Sequence, residues 1–287
     1  MTRDELHAFA DRVLAALVAG EPARIPAAPA LRVTENGRDT ELGGGLWRTA
    51  VAVRFRQQIA DPAAGQVAVF AVVDEGAGLA VVALRLRVAN GQLCELETLA
   101  SRKGESSIFG PESLAAPNPR LARELSPAER SSREALVAAA NAYFDAIERD
   151  TPAAVEFAPD CDRIENGVRT TRDPAVLGGM GVAEQLERKV FAYIGAMRGR
   201  RFPIVDVERG AVLAIVFLDV PGTVTHLEVG GRRVELPAHM RTPRSTLLFE
   251  LFLVEAGCIH AIEAFMHNLP FGASSGWSAR LSRVAAR

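Results

Sequence analysis

Glu250 stands alone in the run LLFELFLV, Leu247 to Val254, where every other residue is apolar. An ionised carboxylate buried among such neighbours is costly. Glu250 must therefore pair with an arginine such as Arg201 or Arg241, carry a proton, or face a cavity. Glu255, Ala256 and Gly257 read as a hairpin turn after it. A turn at Ala256 sets residue 252 opposite 260 and 250 opposite 262, which gathers Glu250, Phe252, His260 and Ile262 on one face. A slip of one residue reverses that face. His260 is either a half-exposed strand histidine or a general acid–base group. Tyr143, one of two tyrosines, shares a helical stripe with Leu136, Ala140 and Ile147, where it is core filler or a hydroxyl facing a pocket. Glu165 and Asn166 lie in IENG, Ile164 to Gly167, an Asn-Gly turn whose glutamate is a second candidate base. His239 lies near the later strands, as do His226 and Asp206. The catalytic candidates are thus Tyr143, Glu250, His260 and Glu165, with Asn166, Phe252, Ile262 and His239 as candidate substrate contacts.

Other chemistries find less support. The five histidines show neither HExxH nor Cys-x-x-Cys spacing, so no metal is expected. Gly43 to Gly45 lack the remainder of a phosphate-binding loop, so no nucleotide or other cofactor is expected. A net charge of −2 does not make a nucleic-acid surface. No apolar stretch reaches the roughly 18 residues of a membrane span. The opening Thr2, Arg3, Asp4 and Glu5 do not read as a signal peptide. Three widely spaced cysteines, Cys94, Cys161 and Cys258, fit a reducing cytoplasm and not a disulfide framework. Arg198, Arg200 and Arg201 read as a solvated basic face following a helix, or as a grip for an anionic tail of a ligand.

The elements that position these residues repeat. Arg3 to Gly37 and Arg133 to Gly167 align without a gap at an offset of 130. Arg3, Leu6, Pro22, Pro29, Glu35, Asn36 and Gly37 meet identical residues in the second stretch. Each copy opens with a helix. The second is expected to start at Ser126, with Pro127 and Glu129 completing a capped start. Strands are expected at Val67–Val73, Leu79–Val88 and Leu93–Leu99, and again at Val212–Val220, Thr223–Leu227, Leu247–Val254 and Ile259–Met266. Helices first and an antiparallel run after them make an α+β fold. The expected domains are 1–104 for copy one, a Gly- and Pro-rich linker at 105–126, 127–277 for copy two, and a basic tail at 278–287. Copy one has Val13 where copy two has Tyr143, and its strand Val81 to Val88 contains no acid. It is therefore read as degenerate, and any chemistry is assigned to copy two.

The order of helix, short second helix, "FAPD" turn, strand, helix and long meander resembles the nuclear-transport-factor-2-like superfamily. That group includes ketosteroid isomerases, SnoaL-type polyketide cyclases and scytalone dehydratase. The phrases RFPIVDVERGAVLAIVFLDVPG and IHAIEAFMHNLPFG resemble an uncharacterised family of two-copy proteins. The resemblance implies two cone-shaped domains, each with N-terminal helices packed on a curved antiparallel sheet. It also implies roles. In ketosteroid isomerases a helix tyrosine and a late-strand acid, kept neutral by an apolar site, face an aspartate base. Tyr143 and Glu250 match the first two. Asn166 falls at the base position, and an amide cannot take a proton from carbon, so Glu165 or another group must.

The function expected from these readings is a cofactor-independent lyase or isomerase, of the dehydratase or keto–enol kind. It would act on a hydrophobic oxygenated small molecule by general acid–base catalysis. The alternative is a non-catalytic module for a small molecule or a protein partner. Such domains pair sheet to sheet, so the tandem reads as a pseudo-dimer, with homo-oligomers also allowed.

Overall fold

The computed structural model describes residues 1–277 apart from 150, 153 and 230; the basic tail at 278–287 lies outside the described residues. The chain is α+β. Its first half comprises helix α1 (Arg3–Ala19) and strands β1 (Ala27–Glu35), β2 (Arg38–Thr40), β3 (Ala52–Asp61), β4 (Gln66–Asp74), β5 (Leu79–Ala89) and β6 (Gln92–Arg102). The second comprises α2 (Arg133–Arg149), β7 (Phe157–Glu165), β8 (Val168–Arg169), α3 (Val182–Glu187), β9 (Ala196–Asp206), β10 (Ala211–Val220), β11 (His226–Val229), β12 (Arg232–Glu235), β13 (Arg244–Glu255) and β14 (Cys258–Leu269). Each half builds a six-stranded sheet, in the orders β2-β1-β6-β5-β4-β3 and β8-β7-β14-β13-β10-β9. The meanders are antiparallel, while β1 runs parallel to β6 and β7 parallel to β14. Register shifts interrupt β3 against β4 and β9 against β10, and such bulges bend a sheet around its helix. No helix among the described residues is long and apolar enough to cross a membrane.

Asn36-Gly37 and Asn166-Gly167 are tight hairpin turns, β1 to β2 and β7 to β8, as Asn90-Gly91 is between β5 and β6. Asn36 and Gly37, like Asn166 and Gly167, all have positive φ. That is the conformation a two-residue type I′ turn demands, and Asn-Gly supplies it at least cost. The helix expected at Ser126 begins instead at Arg133, where the Ser132 hydroxyl accepts from Ala135 N at 3.2 Å. Residues 126–129 form a turn closed by Glu129 on Ser126 N at 2.8 Å. Leu125 N donates to Glu208 O and Ala256 N to Glu129 O, so backbone groups around this turn are engaged by two strand connections and are not free to enter a helix. The "FAPD" segment is the start of β7 and not a turn. The strand expected at Thr223–Leu227 is displaced: Pro221 and Gly222 end β10, and β11 pairs with β12 in a separate small hairpin. Arg198, Arg200 and Arg201 sit on β9 and not after a helix. They are ion-paired to Asp219, to Asp145 and Glu148, and to Glu97 respectively, which leaves none of them as a free basic face.

Strand β13 explains the unbroken apolar run. Its even-numbered residues Leu248, Phe252 and Val254 pack inside the second half, beneath α2. Its odd-numbered residues Leu247, Phe249, Leu251 and Leu253 pack against Ile59, Phe70, Val81 and Leu99 of the first half. A strand buried on both faces shows no polar alternation. The two sheets therefore lie back to back, with the helices outside and an apolar core between the halves.

Candidate active site

The second half encloses a cavity of about 600 Å³ between α2, the inner sheet face and the excursion 221–243. Four even-numbered residues of β13, Arg244, Thr246, Leu248 and Glu250, line it from one end to the other. Glu250 pairs in register with Ala264 of β14, and Ala264 with Glu165 of β7. The two acids therefore share one row of the sheet with only a methyl group between them. Their backbones are two strand spacings apart, about 10 Å.

Arg163, two residues before Glu165 on the same strand, is a site residue that the sequence pattern did not mark. Its side chain is 2% exposed. Its Nε donates to Thr170 Oγ1 at 3.0 Å, its Nη1 to the Tyr143 hydroxyl at 3.2 Å and its Nη2 to Gln185 Oε1 at 2.5 Å. Glu165 lies 3.5 Å from Nε, and Phe191 stacks beneath the guanidinium with 5.0 Å to its ring centroid. Burial lowers the Arg163 pKa, but Glu165 and the Tyr143 hydroxyl outweigh it and hold the guanidinium charged. The Tyr143 oxygen accepts from Arg163, so its own O–H is left to donate; burial raises its pKa and keeps that proton on.

Glu250 is 2% exposed, and its Oε2 has no hydrogen-bond partner among the described residues. Burial, reinforced by the Glu165 charge and partly offset by Arg163, pushes its pKa up to about 8. That shift favours the neutral carboxylic acid at pH 7. Neither arginine considered from the sequence reaches it. Arg201 is bound to Glu97 at 2.5 Å, and Arg241 is exposed in the excursion 221–243.

Five other candidates do not line the cavity. His260 sits where the β13–β14 and β14–β7 ladders both shift register, with its Nδ1 3.8 Å from Asp160. The extra residue at that bulge sets Phe252 opposite Ile262 and Glu250 opposite Ala264, so His260 does not join Glu250. Phe252 and Ile262 are core residues behind the site, with Phe252 edge-on to Tyr143 at 5.4 Å. His239 is exposed. Asn166 is a structural residue: its Nδ2 donates to Ile108 O and Met266 O, each at 3.0 Å, and its Oδ1 accepts from Met266 N at 2.7 Å. Asn36 makes the matching pair with Ala100. The asparagines recur because both hairpins need this bridge.

The first half keeps one of these polar groups, Glu35 in the place of Glu165, where it accepts from Leu46 N at 2.9 Å. Glu35 pairs with Thr98 and Leu84 with Thr98, just as Glu165 and Glu250 pair with Ala264, so Leu84 occupies the place of Glu250. By the offset of 130, Val13 and Val33 occupy those of Tyr143 and Arg163. All three are buried in an apolar core completed by Leu46 and Trp47. A position that is apolar in one copy and polar in the other was thus the signal for Arg163.

A model of a domain of unknown function, DUF8021, matches residues 129–266. A comparison with curated proteins finds no match. Among solved structures, the chain is similar to an NTF-2 like protein of unknown function from Burkholderia xenovorans LB400, with 10% identity over 36% of this chain and 88% of that one, at a TM-score of 0.30. It is similar to the de novo designed NTF2 fold protein NT-9, with 13% identity over 36% and 89%, at 0.29. It is also similar to AusH from Aspergillus nidulans, with 11% identity over 47% and 85%, at 0.30.

Proposed function

We propose that the cavity of the second half is the active site of a cofactor-independent lyase or isomerase, of the dehydratase or keto–enol kind, for a hydrophobic oxygenated small molecule. The observation that carries this reading is that two uncharged donors, Tyr143 and protonated Glu250, line one cavity together with the acid Glu165. Donors fixed in a dry site stabilise an oxygen as it gains negative charge, and do so without reorganising water. Arg163 orients the Tyr143 hydroxyl and polarises it. Glu165, across Ala264, takes the role of base on carbon, and His260 is dropped from it.

A second reading, a binding module without chemistry, is favoured by one contact. The 3.5 Å ion pair to Arg163 occupies Glu165, the group assigned as base. Thermal shift with apolar phenols, which mimic an enolate, against hydrocarbons of the same shape separates the two. Phenol-selective stabilisation that is lost in Tyr143→Phe and in Glu250→Gln supports the oxyanion site. Equal stabilisation of all three proteins, or none by any phenol, leaves the binding module as the better description.

A further inference from the structure

The same cavity has a second polar end, and its charges do not balance. Glu250 is neutral, Arg163 faces Glu165, and Glu235 of β12 is paired with Arg233 at 2.9 Å. Arg244 remains. It lines the cavity at the start of β13, half-buried, and no carboxylate lies within ion-pair distance of it among the described residues. One nitrogen, Nη1, donates to the backbone carbonyls of His239 at 2.7 Å and Thr242 at 3.4 Å, which holds the side chain in place. Those carbonyls leave the other guanidinium donors unspent. Beside it, Thr246 donates its hydroxyl to Asn268 Oδ1 at 2.8 Å, so the Asn268 amide nitrogen is also left to donate.

From this we infer that Arg244, with Asn268, forms an anion subsite, so that the ligand is a long amphiphile with a carboxylate at the end opposite its reacting oxygen. The inference rests on the proposed oxyanion site for the other end of that ligand. Strand geometry sets its length. Glu250 to Thr246 is four residues and to Arg244 six, roughly 13 and 20 Å of strand at about 3.3 Å per residue. Between the ends the wall is apolar, built by Leu248 and Met266. A single carboxylate matches the one uncompensated cation among the described residues of the lining, and a guanidinium binds a carboxylate through two parallel hydrogen bonds. The first half lacks this feature as well. Gly78, Ala80, Val82 and Leu84 stand where the second half has Arg244, Thr246, Leu248 and Glu250.

Calorimetric titration with ω-(4-hydroxyphenyl)alkanoic acids of increasing chain length, each against its primary amide, tests the subsite. The acid is expected to bind at least tenfold tighter than its amide, and only once the chain spans both ends. Arg244→Gln should abolish that preference, bringing the acid to the affinity of its amide; Arg244→Lys should retain part of it. The phenol-free alkanoic acids and alkanamides isolate this end from the other. Acid preference there, lost in Arg244→Gln, supports the subsite even if every phenol fails to bind. An acid preference that Arg244→Gln leaves intact, or no preference in the parent protein at any length, overturns it.

Discussion

Glu250 keeps its proton because the strand that carries it is buried on both sides, and Ala214 and Ala264 are its partners on either flank. Small neighbours leave space beside the carboxyl but offer it no donor. The consequence is a pH dependence of stability with a definite sign. In the unfolded chain Glu250 ionises near the ordinary glutamate value of 4.5, whereas in the folded protein it does so near 8. Its contribution is therefore full below about pH 4.5 and is lost as pH rises toward 8, because there the folded state holds a proton that the unfolded state has released. His7 and His267, whose pKa values are lowered by burial, act in the opposite direction. The difference between parent and Glu250→Gln isolates the glutamate. Urea unfolding from pH 4.5 to 8 should show the parent losing stability relative to the variant by a few kcal/mol, and parallel curves would mean that Glu250 is ionised in the fold. The sequence revealed this residue because a lone acid in LLFELFLV has no ordinary explanation. It concealed Arg163, which sits in a strand of mixed polarity where an arginine attracts no notice, and it misplaced His260 because a one-residue bulge is invisible in periodicity.

The elements differ between the halves in two connections: β2 reaches β3 through 41–51 while β8 reaches β9 through 170–195, which carries α3, and the second lies between the central meander strands. The first half joins β4 to β5 through the turn 75–78, and the second joins β10 to β13 through the excursion 221–243. Leu227, Val229, Val234, Leu236 and Met240 of that excursion close the cavity over Leu218 and Leu248. Among the described residues its hairpin forms no ladder with the six-stranded sheet, whose strand pairing is complete without it. Replacing residues 222–242 with the short turn of the first half, Glu75 to Gly78, should leave the far-UV dichroism of the main sheet in place. It should also weaken phenol binding at least tenfold, because apolar walls that exclude water would be gone. Unchanged affinity would place binding elsewhere. Legibility at this scale followed packing. The long buried strands β4, β5, β6, β10, β13 and β14 announced themselves through apolar runs. The strands β1, β3, β7 and β9 did not, since they carry arginines, prolines or acids whose partners come from across the fold. Arg201 of β9, for instance, finds Glu97 of β6.

At the scale of the molecule, the repeat explains why two residues recur that have no part in the site. Arg133 at the start of α2 binds Asp61 at the end of β3 at 2.7 Å, and Arg3 at the start of α1 binds Asp206 at the end of β9. Each helix is thus tied to the other half's sheet, in reciprocal fashion. Glu97 and Glu263 are likewise equivalent positions at the sheet–sheet seam, the first held by Arg85 and Arg201, the second hydrogen-bonded by Gln57 and Asn118. With these ties the seam buries Phe70, Phe249, Phe265 and the odd-numbered leucines of β13, each worth about 1.5–3 kcal/mol when removed from water. The first half, with its cone filled by Leu46 and Trp47, is then a structural partner that covers the outer face of the catalytic candidate. A fragment of residues 127–287 expressed alone would expose that face to water. It should self-associate or precipitate, and co-expression with residues 1–126 should rescue it as a one-to-one complex, as measured by size-exclusion chromatography with light scattering. The intact chain should unfold in one transition by calorimetry, because the core at the seam is built from both halves. A monomeric fragment that melts cooperatively by itself would show that the seam joins two independent domains, and that the first half has a purpose other than support.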